Sequence, residues 1–586
     1  MIANATTAAT RMKGSDFVAQ FLETQGIRTI FELSGGMITH LLDSVSRRGN
    51  IRIVSVRHEQ AAAFAADATG RLTGIPGVAM ATSGPGATNL LTGIGSCYFD
   101  SSPAVFITGQ VNRHEQKGSR RIRQLGFQET DIVSMARPVT KAAWLVSAPE
   151  ELPSILSDAF QIAVSGRPGP VLVDIPMDVQ RLVTEYGINE PVRTIPACGG
   201  PEPQQLEAMF AAVARAHRPL ILAGGGIRAG RAESLLQTFA ETLAVPVVHS
   251  LMAVDALPWS HPLRVGMIGS YGNRWANLAL GRSDLLIVLG SRLDVRQTGS
   301  ETAAFKEGRG IIHVDCDAAE INNRIPGCDA IPSELKPFFE AAIEALPRPV
   351  LAPRRPEWME EIQLLRERWP DTAELEGIPG INPNLFMHQL SRAFPEASSW
   401  IVDVGQHQMW AAQSLELTSG QRFLTSGGMG SMGFGLPAAL GAAAADPSRP
   451  VMVIAGDGAF QCNIQELQTV VHNSMPMKIV IIDNGCHGMV RQFQESYFES
   501  HYQSTLWGYS APDFARIASA YGLQANTVSE PEAVPAALGW LRSTGLAPAL
   551  LHVRIHTFAN AYPKIAFGRP ITEMEPAAKP IEQEGT

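Results

Sequence analysis

The tripeptide Gly456-Asp457-Gly458, followed by Ala459-Phe460, ends an apolar run (VMVIAG), and Asn484 ends a second run (MKIVIID) 27 residues further on. That spacing suits a strand, a crossover helix of about 12 residues and a parallel second strand, which brings both side chains out at the carboxyl edge of one sheet. Neighbouring parallel strands lie about 4.8 Å apart, so a carboxylate and an amide oxygen there can share one hard cation. Two protein oxygens leave an octahedral Mg²⁺ with positions for phosphate oxygens and water. The flanking glycines let backbone N–H groups approach a diphosphate at a helix N-terminus. Gly-Asp-Gly alone is also an ordinary turn; the strand, helix, strand and terminal asparagine in register give it a chemical reading.

The elements that must position these residues recur along the chain. Runs rich in Val, Ile and Leu end in glycine ahead of helical patterns near residues 30, 80, 222, 288, 402, 454 and 481. Continuous apolar strands alternating with helices are the mark of parallel sheets covered on both faces. The expected fold class is α/β, with three doubly wound parallel-sheet domains. Pro-rich, charged stretches at 188–206 and 346–382 read as linkers. The expected domains are therefore 12–187, 200–346 and 375–565, with 566–586 as a loosely ordered C-terminal tail whose neighbours near Tyr562 can close over a site. The first and third units are alike in rhythm, but too weakly in sequence to be called a repeat.

Composition narrows the function classes. The 586 residues are 45% hydrophobic and 18% charged, which supplies several packed cores. A net charge of −9 without long runs of either sign argues against nucleic acid or an anionic membrane as partner. The six cysteines form no CxxC pair, which fits free thiols in a reducing compartment, and no signal peptide or membrane span is legible. The expected location is the cytoplasm.

Longer segments carry a resemblance. VRHEQAAAFAADATGRLTGIPGVAMATSGPGATN, FITGQV, Phe127-Gln128-Glu129 and GRPGPVLVDIP in the N-terminal unit, with DVGQHQMWAAQ, SGGMGSMGFGLPAALG, IAGDGAFQCNIQEL, HGMVRQFQ and the PDFARIASAYG region in the C-terminal unit, resemble the catalytic subunit of acetohydroxyacid (acetolactate) synthase, a thiamine diphosphate enzyme. The resemblance spans about residues 20–565. It implies pyrimidine-binding, central FAD-binding and diphosphate-binding domains in that order. Glu59 matches the glutamate that hydrogen-bonds N1′ of the cofactor's aminopyrimidine, and Phe127, Gln128 and Arg296 join it as catalytic candidates. Gly430 and Met432 match the pyrimidine contacts, with Met432 propping the cofactor in its bent shape. Gln406 and His407 match diphosphate contacts, and Gly456, Asp457, Gly458, Ala459, Asn484 and Met489 complete the thiamine diphosphate set. Asp457, Asn484 and the backbone carbonyl of Cys486 match the Mg²⁺ ligands. Asp483 departs from the asparagine usual before the ligand asparagine.

For FAD, PLILAGGGIRAG reads as strand, glycine turn and helix, a corner common to many doubly wound sheets. The segment from Gly290 to Gly299 is similar to the family's GARFDDRVTG. The resemblance implies flavin contacts at Arg167, Gly224, Gly225, Gly272, Arg292, Asp315 and Asp329, with FAD in a structural role.

The implied reaction is decarboxylation of pyruvate followed by addition of the hydroxyethyl carbanion to the ketone of a second 2-oxo acid, giving 2-acetolactate. Arg296 matches the arginine that binds the acceptor carboxylate, as a guanidinium can. Met177 stands where the family has lysine, Ser270 and Tyr271 replace Met-His, and Phe493 replaces a tryptophan associated with preferring 2-oxobutanoate as acceptor. Such pocket changes shift acceptor choice by about 1–3 kcal/mol. A carboligase using another ketone or aldehyde acceptor, a pyruvate oxidase and a catalytically inert cofactor-binding scaffold remain as alternatives; the presence of Glu59, Asp457 and Asn484 together argues against the scaffold. The resemblance implies a homodimer as the smallest active unit. A tetramer and a regulatory small subunit are compatible with the sequence but not legible in it.

Overall fold

The computed structural model describes residues 10–186, 198–346 and 355–581; part of each stretch read as a linker lies outside these residues. Within them, the apolar runs ahead of glycine corners are strands, among them Thr29–Leu33, Gly77–Ala81, Pro219–Ala223, Leu285–Leu289, Ser399–Val402, Val451–Gly456 and Met477–Asp483. They build three sheets of six strands each, with parallel pairing throughout the registers that define them. With strands numbered by chain order inside each sheet, the N-terminal sheet runs 2-1-3-4-6-5 and the C-terminal sheet runs 2-1-3-4-6-5 as well. The likeness in rhythm of these regions is thus a likeness of topology. The central sheet runs 3-2-1-4-5-6, the dinucleotide-binding order, with its switch point between strands 1 and 4.

Period-two alternation explains why these runs are apolar throughout. On the central sheet Ile221, Ala223, Ile287, Leu289, Ile312 and Val314 enter one core, while Leu220, Leu222, Leu286, Val288 and Ile311 enter the other.

The described residues pack as two compact units. One comprises 10–186 with Ser426–Arg449 and Cys462–Met477; the other comprises 198–346, 355–425, Pro450–Gln461 and 478–581. In the first, the helix Glu59–Thr73 is buried on nearly every side, with Ala61, Ala62, Ala63, Phe64, Ala65, Ala66 and Ala68 all removed from solvent. Small residues permit this. A Cβ added to Gly441, on the helix Gly435–Ala445, would lie 2.0 Å from the Ala65 carbonyl oxygen, and one on Gly93 would lie 2.2 Å from the Ala63 Cβ. Arg71 closes the far end of the helix, with Nε 2.6 Å from Asp67 Oδ1 and Nη2 2.9 Å from Asp100 Oδ2. Asp100 in turn accepts the backbone N–H groups of Gly427 and Gly428 at 3.2 and 2.6 Å. The loop that carries Gly430 and Met432 is therefore anchored through a buried ion-pair network, whose disruption costs about 3–5 kcal/mol.

Two expectations need correction. The stretch 346–382, read as a linker, carries the helix Pro356–Arg368, whose Trp358, Ile362 and Leu365 enter a core. The tail is ordered as far as residue 581. Lys564–Ile565 pairs antiparallel with Met574–Glu575, the Ile565 N–H donates to the Ser270 carbonyl at 2.9 Å, and Arg274 Nη2 donates to the Glu575 carbonyl at 3.0 Å. Buried Ile565, Ile571 and Met574 supply the packing that polar flanks conceal. Among the described residues no helix is long and apolar enough to cross a membrane.

Candidate active site

In the second unit, Val451–Gly456 and Met477–Asp483 are neighbours in the sheet, and Asp457 and Asn484 follow directly from their carboxyl ends. The connection differs from the single helix expected. It is broken into Asp457–Phe460, a 3₁₀ stretch Gln461–Glu466 and Leu467–His472, with nonhelical backbone at Asn463 (φ −136°, ψ 28°). Asp457 is buried, and burial pushes its carboxyl above the usual carboxylate range, with the charge of Asp483 adding to the shift. A cation reverses that penalty. Tyr509 donates its hydroxyl to Asp457 Oδ2 at 2.7 Å. Asn484 Nδ2 donates to Gln406 Oε1 at 2.9 Å, and Gln406 Nε2 donates to Gln492 Oε1 at 3.0 Å. This chain of amides leaves Asn484 Oδ1 as the outward oxygen, where it accepts the Cys486 N–H at 3.2 Å. Burial pushes the Cys486 thiol up to about 11, so it stays protonated, and its carbonyl is the hard donor it can offer. Among the described residues no group of three or more His, Cys, Asp or Glu side chains is arranged to hold a metal ion. One carboxylate, one amide and one carbonyl instead suit Mg²⁺ completed by phosphate oxygens and water.

Asp483 is accounted for by its own partners. Its Oδ2 lies 2.7 Å from His552 Nε2, and its Oδ1 accepts the Gly485 N–H at 2.9 Å. Glycines crowd the same edge: a Cβ on Gly456 would lie 2.8 Å from His407 Nδ1, one on Gly458 2.7 Å from the His487 ring, and one on Gly488 1.9 Å from Gln406 Oε1. Burial pulls the His407 imidazole down to about 3, so the ring is neutral, and its Nε2 is a buried atom with no hydrogen-bond partner among the described residues. The ring also hydrogen-bonds the Asp403 backbone, which leaves Nε2 as the unfilled polar position at this glycine-lined strand end. Gln406 has both ends of its amide engaged, which makes it a brace for Asn484 with one N–H to spare. Ala459 is buried and Met489 half-buried beside this edge.

In the first unit, Glu59 opens the helix Glu59–Thr73 behind His58, whose side chain accepts the Gln60 N–H. Glu59 is 7% exposed, and its Oε2 accepts from Asn89 Nδ2 at 2.9 Å. Its Oε1 faces Gly86, where an added Cβ would lie 3.2 Å away. Ser83 Oγ is buried without a hydrogen-bond partner among the described residues. Asn463 ties the Met432 loop to this helix start, because its Nδ2 donates to both the Gly433 carbonyl (2.8 Å) and Gln60 Oε1 (3.0 Å). Gly430 has a left-handed backbone (φ 68°) with open space beyond it, and Met432 is 39% exposed. Gln128 also sits in the left-handed region (φ 65°), an unusual state for a residue with a side chain. Phe127 beside it is 79% exposed.

The central sheet gathers most of the expected flavin residues at its switch point. The Gly226 N–H donates to the Gly290 carbonyl at 3.0 Å, and a Cβ on Gly224 would lie 2.1 Å from that oxygen, so the corners after strands 1 and 4 meet backbone to backbone. Gly225 stands in the same turn. Arg292 pairs with Asp294 at 3.3 Å, and Asp294 caps the helix that carries Arg296. Asp315 ends the fifth strand, and Gly272 packs against the Met267 carbonyl. Asp329 is separated from this group. It starts the edge strand, paired with Ile312, while Pro332 at the strand's far end pairs with Asp315. Arg167 lies in the first unit, where its Nε donates to Ser101 Oγ at 2.8 Å.

Family models match three stretches of the chain: the N-terminal TPP (thiamine pyrophosphate) binding domain of thiamine pyrophosphate enzymes over residues 12–135, their central domain over 206–342 and their C-terminal TPP binding domain over 403–553. The acetolactate synthase isozyme 2 large subunit of Escherichia coli (strain K12) is 39% identical over 96% of this chain and 99% of its own length. The chain belongs to the acetolactate synthase large-subunit family of thiamine pyrophosphate enzymes. The isozyme 1 large subunit of the same organism is 38% identical over 97% and 98% of the two chains, and the large subunit of Corynebacterium glutamicum is 36% identical over 97% and 91%.

Sequence reasoning missed several groups that brace the candidate site residues. Asn89, Asn463 and Gln492 were in plain view in SGPGATN, IAGDGAFQCNIQEL and HGMVRQFQ, while Tyr509 sits in a segment with no distinguishing pattern. The departures from the family pattern also gain context. Ser270 donates its N–H to the Arg296 carbonyl at 2.6 Å, so the Ser-Tyr replacement abuts the arginine directly. Tyr271 is buried enough to push its hydroxyl up to about 12. Phe493 is half-exposed and lies 4.7 Å from the Tyr497 ring. Met177 opens a short helix after Pro170–Pro176 in the first unit.

Proposed function

We propose that this enzyme condenses two molecules of pyruvate into 2-acetolactate with release of CO₂, using thiamine diphosphate, Mg²⁺ and a structural FAD. The observation that carries the site assignment is the pair Asp457 and Asn484 at adjoining strand ends, with the asparagine amide fixed by Gln406 so that its oxygen is presented. When bound, thiamine diphosphate supplies the thiazolium carbon that takes up the two-carbon unit of pyruvate and hands it to an acceptor carbonyl. Glu59, oriented by Asn89, would hydrogen-bond the ring nitrogen of the aminopyrimidine and share its carboxyl proton with it. Asp457, Asn484 Oδ1 and the Cys486 carbonyl would hold Mg²⁺, with the neutral ring of His407 beside the diphosphate. Met432 and the open backbone of Gly430 take the pyrimidine. Phe127, beside Gln128, screens the reacting centre from water.

Arg296 binds the acceptor carboxylate, and Ser270, Tyr271 and Phe493 shape the acceptor side. The glycine crossing at Gly224, Gly226 and Gly290 leaves room for a flavin with Arg292 and Asp315 at its rim, whereas the position of Asp329 speaks for a peripheral role. We infer a cytoplasmic enzyme, consistent with its free thiols, and a homodimer as the smallest active form, consistent with the exposure of Phe127 and Met432 in a single chain. Relatives named large subunits make a small regulatory partner a further part of this reading.

The test is reconstitution. Apo-protein supplied with pyruvate and FAD forms acetolactate only after thiamine diphosphate and Mg²⁺ are added, while the oxidised flavin spectrum persists without oxygen. Flavin bleaching by pyruvate would transfer the assignment to a pyruvate oxidase.

A further inference from the structure

Away from the strand ends that carry the cofactor residues, the second unit contains a cavity of about 390 Å³ lined by Trp259, His261, Arg264, Met359, Ile362 and Arg366. Arg264 begins the edge strand Arg264–Met267 of the central sheet, at its amino end, opposite the carboxyl edge where the flavin residues gather. It is 5% exposed, and its Nε and Nη1 are buried without a hydrogen-bond partner among the described residues. Its guanidinium lies 4.7 Å from the Trp259 ring, and that of Arg366 lies 4.9 Å from the same ring. Two cations against one indole reinforce each other's charge, and among the described residues no carboxylate within ion-pair distance offsets either. Asp371 acts on Arg264, but its carboxylate is taken by His388 Nε2 at 2.9 Å and by Ser414 and the Thr372 N–H. His261 is engaged with Glu241 at 3.0 Å. Burial, then the charge of Arg366, pull Arg264 down to about 9 against Asp371.

A buried guanidinium with unmet donors is costly unless an anion completes it. The void is larger than a bare oxyanion needs, falls in the range of small-molecule sites, and has an apolar wall of Trp259, Met359 and Ile362 beside the two arginines. We propose that this cavity is a binding site for a small organic anion, which sets its phosphate or carboxylate group on Arg264 and Arg366 and its carbon skeleton along Trp259 and Met359. The site is independent of the active site described above.

The experiment uses holoenzyme saturated with thiamine diphosphate, Mg²⁺ and FAD, so that the cofactor site is filled. Glycerol 3-phosphate and succinate are titrated separately by calorimetry against a matched chloride background, with tryptophan fluorescence as a second readout. The expected result is one site per chain for at least one of them, with a Kd of about 1 mM or tighter. Arg366→Gln weakens binding about tenfold or more, Arg366→Lys weakens it less, and acetolactate formation is unchanged in both. Preference for glycerol 3-phosphate assigns the site to phosphate esters, and preference for succinate to dicarboxylates. Arg264→Met abolishes binding if it folds; the Arg366 variants decide the matter if it does not. Absence of binding by both anions to about 10 mM, or equal affinity in folded Arg366→Gln, would overturn the proposal.

Discussion

Replacing Glu59 by glutamine turns a carboxyl group that can exchange a proton with the ring nitrogen into an amide that cannot, and changes little else. The amide oxygen can still accept from Asn89, whose Nδ2 lies 2.9 Å from the native Oε2, and the side-chain volume is kept in a site 7% exposed. Glu59 stands in the first turn of its helix, where its charge favours the dipole, so the fold loses about 0.3–1 kcal/mol. Activity loses far more. A positioned proton-exchanging group contributes about 10²–10⁴-fold, which is about 2.7–5.4 kcal/mol at 1.36 kcal/mol per decade. The assay pairs acetolactate formation with thermal melting and with exchange of the cofactor's C2 proton in heavy water. The expected variant melts within a few degrees of the wild type, binds thiamine diphosphate and Mg²⁺, and is slowed about a hundredfold or more in both exchange and turnover. A folded variant that turns over within about threefold of the wild type would refute the role given to Glu59.

Three further outcomes follow from the same geometry. Arg296→Ala raises KM for an added 2-oxo acid acceptor by about 10–100-fold, the worth of a charged hydrogen bond, while pyruvate decarboxylation is spared; equal loss of both, measured by CO₂ release against product, would remove the arginine from the acceptor site. Gly441→Ala forces a methyl to within 2.0 Å of the Ala65 carbonyl and costs about 1–3 kcal/mol, read as a lower melting temperature; an unchanged melt would mean that the two helices part freely. At His388, burial lowers the pKa, but the hydrogen bonds and charges of Asp371 and Glu416 more than offset it, leaving a net rise from 6.5. Its stabilisation is therefore complete below about pH 6.5 and is lost as pH rises through the folded value, so His388→Gln flattens the alkaline fall in stability measured by denaturant melts.

Much of this architecture is legible because glycine corners and continuous apolar runs report buried parallel strands directly. The Asp457 and Asn484 spacing worked for the same reason, since a crossover between adjacent strands has a narrow range of lengths. The break at Asn463 was not legible: its amide is spent on Gly433 and Gln60, partners remote in sequence that no local propensity records. The tail misled for a related reason. GRPITEMEPAAKP looks like a solvated segment, yet Ile571 and Met574 are buried in a core and Arg274 donates to the carbonyls of Met574 and Glu575, and sparse apolar residues reveal their burial only once the surface they meet is known. Asp329 looked equivalent to Asp315, but strand register sets it at the other end of its strand, and register is invisible until pairing is fixed. The bracing residues Asn89, Gln492 and Tyr509 touch the site only through side-chain hydrogen bonds.

The central claim is carbon–carbon bond formation between two pyruvate units. The direct measurement is ¹³C NMR of holoenzyme with [2-¹³C]pyruvate, thiamine diphosphate, Mg²⁺ and FAD, before and after acid treatment. The account predicts doubly labelled 2-acetolactate that acid converts to acetoin; pyruvate consumed to acetaldehyde or acetate alone would contradict it.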